Sequence, residues 1–75
     1  MNSFCFRAEC IHDALNFIAV VAERARVAVF NLNQDPIYPD CEAVIVTALS
    51  LEELILIASE ICDAHVIQES IELKR

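Results

Sequence analysis

Cys41-Glu42-Ala43-Val44-Ile45-Val46-Thr47-Ala48-Leu49-Ser50-Leu51-Glu52-Glu53-Leu54 reads as a strand that passes at once into a helix start. Ala43 to Val46 is apolar on both faces of an extended chain. That suits a central strand, running from Cys41 or Glu42 to Ala48, with helices on one side and room for a partner on the other. Ser50-Leu51-Glu52-Glu53 is a capping box: the Ser50 hydroxyl accepts from the Glu53 N–H, and the Glu53 carboxylate reaches back. Leu49 and Leu54 flank it as a hydrophobic staple. Leu51, Leu54, Ile55, Ala58, Ile61 and Cys62 then form a buried stripe at helical spacing. This helix is expected to end near Ala64 or His65.

Downstream, Val66 to Leu73 reads as a last strand with Ile67, Ile71 and Leu73 on one face. Glu69 interrupts that face, which marks an edge strand. Upstream, Asn31 to Asp40 contains both prolines and reads as a long connection. Before it lies a strand, Arg26 to Leu32, rich in Val and Phe. A helix is expected from about Ile11 to Ala25, with Ile11, Ala14, Leu15, Ile18, Val21, Ala22 and Ala25 as its stripe and His12, Asp13, Asn16 and Glu23 outside it. Ser3 to Glu9 alternates Phe4, Phe6 and Ala8 with Cys5, Arg7 and Glu9, a half-buried strand.

The order is therefore β-α-β-β-α-β in one domain, residues 1–75. It predicts an α+β split β-α-β (ferredoxin-like) sandwich: a four-stranded antiparallel sheet with two helices on one face. Strands one and three fall in the middle and strands two and four at the edges. The other face is left open. It carries either Cys5, Arg7 and their neighbours or the opposite set, depending on register.

The chain has 75 residues and no glycine, where average usage would give about five. A phosphate-binding loop, a dinucleotide fingerprint and an EF-hand loop each need glycine and are excluded. Asn31, Asn33 and Asp35 must then carry any left-handed turn position.

The net charge is −7, from 12 acids and 5 Lys and Arg. Residues 1–26 are balanced. Residues 27–73 hold Asp35, Asp40, Glu42, Glu52, Glu53, Glu60, Asp63, Glu69 and Glu72, and no Lys or Arg. Such a stretch argues against direct contact with nucleic acid and against anionic membranes. It favours a basic protein surface as partner. No secretory signal is read, and the longest apolar run, Phe17 to Ala22, is far short of a span, so a cytoplasmic location is expected.

Cys5, Cys10, Cys41 and Cys62 contain no C-x-x-C and are expected to be reduced and structural. His12 and His65 lack an orienting third group or an oxyanion loop. Neither a catalytic residue nor a cofactor or metal is expected. Leu56 points away from its stripe, among Glu52, Ser59, Glu60 and Asp63, and Val20 does so on the first helix. One apolar anchor ringed by acids has the form of a protein-binding hot spot. Tyr38 and Ile37, close to Asp35 and Asp40, combine an aromatic anchor with acid in the same way.

The expected fold lacks the aromatic and basic third strand of an RNA-recognition motif. In size, charge and the acid-only stretch Val27–Leu73, the chain is similar to small acidic inhibitors of phages and mobile elements, the anti-CRISPR type among them. That resemblance implies a protein that blocks a basic nucleic-acid-binding complex. The expected contact set is Asp35, Tyr38, Asp40, Glu42, Glu52, Leu56, Glu60, Asp63, Glu69 and Glu72. The alternative is a homodimeric structural or regulatory domain joined through open sheet faces or edge strands.

Overall fold

A computed structural model of the chain describes residues 1–34, 37, 40–67 and 70–74, with only the backbone at position 67. Its elements are β1 (Asn2–Ala8), α1 (Ile11–Arg24), β2 (Val27–Gln34), β3 (Cys41–Thr47), α2 (Leu51–Ile61), β4 (Asp63–Ile67) and β5 (Ser70–Lys74). The α+β class with two helices is as expected. The sheet is not: it has five strands, in the order β2-β3-β1-β5-β4, and it is mixed. β2–β3, β3–β1 and β5–β4 pair antiparallel, while β1 and β5 pair parallel.

The difference lies in the last quarter of the chain. The single strand expected over Val66 to Leu73 is a hairpin, and α2 ends at Ile61 rather than near Ala64 or His65. A single straight strand would place positions 67 and 71 on one face. In the hairpin, position 67 pairs with Ser70 and Val66 with Ile71, so the two fall on opposite faces. Ile71 and Leu73 are thereby fully buried beside β1. The outer edge passes to β4, which joins Asp63 to His65, expected at the helix end, to the first two residues of the expected strand. Glu69, on which the edge-strand reading rested, lies outside the described residues.

Local chemistry explains the rest. The capping box is complete: the Glu53 N–H donates to Ser50 Oγ at 3.2 Å, and the Ser50 N–H donates to Glu53 Oε1 at 3.2 Å. α1 starts at Cys10 with no side-chain cap, but Asp13 stands in its first turn, where the helix dipole favours a carboxylate. Asp13 is buried, contrary to its expected place off the stripe. The α1 core residues are Ala14, Phe17 and Val21, while Leu15 is 52% exposed. Val20 is half-buried and packs on the core, so its outward reading is also corrected. On α2, Leu54, Ile57 and Ala58 are buried.

Both helices cover one sheet face, against Phe6, Ala8, Ala43, Ile45, Ile71 and Leu73. Phe6 and Phe17 meet edge-on, with ring centroids 5.3 Å apart. Fully burying a side chain of this size stabilises by roughly 1.5–3 kcal/mol, so this layer is the main source of stability.

Candidate functional site

The alternation in β1 decides which face is bare. Phe4, Phe6 and Ala8 point to the helices, so Ser3, Cys5 and Arg7 stand on the open side. The pairing registers carry this across the sheet. Asn33, Glu42, Arg7, Glu72 and His65 lie in one transverse row, one from each of the five strands. The adjacent row holds Phe30, Val44, Cys5 and Ser70. The open face is thus divided into a charged half and a largely apolar half.

Arg7 is the centre of the charged half. Its Nε donates to Glu42 Oε1 at 2.7 Å, and its terminal Nη2 contacts the same oxygen. The hydrogen bond and charge of Glu42 hold the guanidinium pKa above its usual value, with Glu72 and Asp40 adding to the effect. Shallow depressions flank Arg7 on both sides. One is lined by Asn33, Gln34, Asp40 and Glu42, the other by Glu9, Asp40, Glu72 and Lys74. Acids outnumber bases around both.

The structure divides the expected contact residues between two surfaces. Asp40, Glu42 and Glu72 gather about Arg7 on the open face. Glu52, Leu56 and Glu60 recur at four-residue spacing on the exposed side of α2, and Leu56 is 67% exposed. Glu60 reaches Arg24 of α1 at 3.7 Å. Asp63 opens β4 at the corner between the two surfaces, in a hollow shared with Ser59, Glu60 and Cys62. Asp35, Tyr38 and Glu69 lie outside the described residues.

Sequence reasoning left Arg7 and His65 out of the contact set. Arg7 was visible as a base alternating with Phe4, Phe6 and Ala8. His65, expected at a helix end, stands in β4, opposite Glu72. Among the described residues no three His, Cys, Asp or Glu side chains form a group that could hold a metal ion. No helix is long and apolar enough to cross a membrane.

Fold and surface together define a small two-layer α+β domain with an acidic helix face and a half-apolar bare sheet face. No protein-family model, curated protein or solved structure matches the chain.

Proposed function

We propose that the protein is a binding module that inhibits a basic, nucleic-acid-binding protein by occupying its Lys- and Arg-rich groove, in the manner of anti-CRISPR-type inhibitors. The observation that carries this reading is Leu56, 67% exposed on α2 between Glu52 and Glu60. It lies in a segment of nine acids without a Lys or Arg. The carboxylates stand in for phosphates and speed encounter through steering. Leu56 supplies the desolvated anchor that carboxylates alone lack. The Ser59 hydroxyl beside it is turned back along the helix, donating to the Ile55 carbonyl at 2.8 Å. Activity comes from occupancy, so no catalytic residue or cofactor is invoked.

Affinity purification from the native host with the tagged chain is expected to recover a nucleic-acid-binding protein that the purified domain displaces from DNA or RNA. Glu52→Lys, Glu60→Lys and Asp63→Lys together should lower affinity at least tenfold, with the circular dichroism spectrum retained. Leu56→Ala should lower it without altering the salt dependence. Unchanged affinity of the triple variant, or a partner that holds no nucleic acid, overturns the reading.

A further inference from the structure

β2 is an edge strand of eight residues, Val27–Gln34, and its sequence VAVFNLNQ contains no charged side chain. Natural edges are usually guarded by charge, proline, shortness or a bulge. The other edge, β4, fits that pattern: it is five residues long and begins with Asp63. In β2 only a bulge is present, between Phe30 and Asn33, with Asn31 at φ 55°. The half before it, Val27 to Phe30, pairs regularly with β3 on one side and forms the sheet edge on the other. Phe30 is 53% exposed and Leu32 44% exposed along this edge.

The ends of the strand differ in charge. Arg24 and Arg26 precede it, whereas Gln34 and Asn33 pair with Cys41 and Glu42, beside Asp40. Arg7, Arg24 and Lys74 each meet a carboxylate, but Arg26 has no ion-pair partner among the described residues.

We infer that β2 is a dimerisation edge whose occupant is β2 of a second copy, running antiparallel about a two-fold axis. Two observations and one general rule favour a second copy. The uncharged strand lets two chains of net charge −7 meet without like charges in the contact. The antiparallel arrangement sets the Arg26 end of each strand beside the Glu42 and Asp40 end of the other, twice over. An isologous contact also uses one self-complementary patch on both partners, the commonest form of homo-oligomer. The product is a continuous ten-stranded sheet, with Phe30 of each copy extending the apolar half of the other's open face. A contact along a single eight-residue strand is narrow beside the ~1,200–2,000 Å² buried in a standard interface, so the dimer is expected to be weak and concentration-dependent. It leaves Glu52, Leu56 and Glu60 free and stands independently of the inhibitory reading.

Sedimentation of the full chain from low micromolar to millimolar concentration tests the inference. The mass is expected to rise from 8.4 kDa toward the dimer value. Amide exchange along β2, residues 27–34, should slow over the same range. Phe30→Lys should hold the chain monomeric, and Arg26→Glu should weaken the dimer at low salt. Cys5→Lys, in the middle of the open face, and Leu56→Lys, on α2, should leave it intact. A monomer at every concentration overturns the inference. So does a dimer that survives Phe30→Lys or is lost only in Cys5→Lys or Leu56→Lys, since the contact would then lie elsewhere.

Discussion

Cys41 opens β3 with none of its surface accessible. Burial pushes its thiol pKa up, and the neighbouring charges of Cys10 and Glu42 push the same way. Cys5 instead stands exposed on the open face. Thiolate is the reactive form, so alkylation of the native protein should label Cys5 well before Cys41, as mass spectrometry of partially modified protein would show. Linkage adds a second consequence. The unfolded chain releases the Cys41 proton at the ordinary thiol pKa, while the folded chain holds it. Stability is therefore full below that ordinary value and falls as pH rises from it toward the folded-state pKa. Cys41→Ala costs packing at all pH values but should flatten this alkaline decline. Equal labelling of the two thiols, or an unchanged pH slope in Cys41→Ala, contradicts the account.

Ser50 and Glu53 show how much a short element can specify. The two reciprocal bonds satisfy backbone donors that a helix start otherwise leaves to water. Ser50→Ala is expected to cost about 1 kcal/mol, which for a domain of this size lowers Tm by roughly 4–8 °C. Thermal unfolding measures it directly. This device was legible because it is written entirely in residues 49–54. The helix ends were not. With no glycine available, neither helix closes on a left-handed residue; Ala25 and Cys62 are both fully extended and lead straight into the next strand. No stop signal therefore separates Ile61 from Asp63, and the sequence reads Asp63 to His65 as more helix. Asn31 was legible as a positive-φ position, since without glycine Asn tolerates it best. Asp13 was not legible as a buried group, because spacing alone cannot show that a first-turn carboxylate turns inward. Of the candidate surface, the outward turn of Leu56 followed from helical periodicity. The row through Asn33, Glu42, Arg7, Glu72 and His65 did not, because it joins five strands whose registers depend on the whole sheet.

At the scale of the whole molecule, two electrostatic effects oppose each other. Arg7–Glu42, Arg24–Glu60 and Lys74–Glu72 hold parts of the surface together, yet the side chains of the first two pairs are at least half exposed. Exposed pairs are worth about 0–1 kcal/mol each. Against them stands a net charge of −7 on a body of 33 × 24 × 22 Å. Two unit charges ~20 Å apart in water repel by roughly 0.2 kcal/mol, and seven unbalanced charges repel pairwise by about 4 kcal/mol in all. Unfolding relieves much of this by spreading the chain. Salt screens both effects, and at 0.1 M the screening length is about 10 Å, short of most of the repulsive separations. Repulsion is the larger effect, so salt should stabilise the fold. Raising NaCl from about 10 mM to about 0.5 M is expected to raise Tm by several degrees. The single substitution Glu52→Lys should reduce that rise by removing two units of the imbalance. A Tm that falls with salt would mean that the three ion pairs outweigh the repulsion, and that the acids are placed for local pairing rather than for a partner's positive charge.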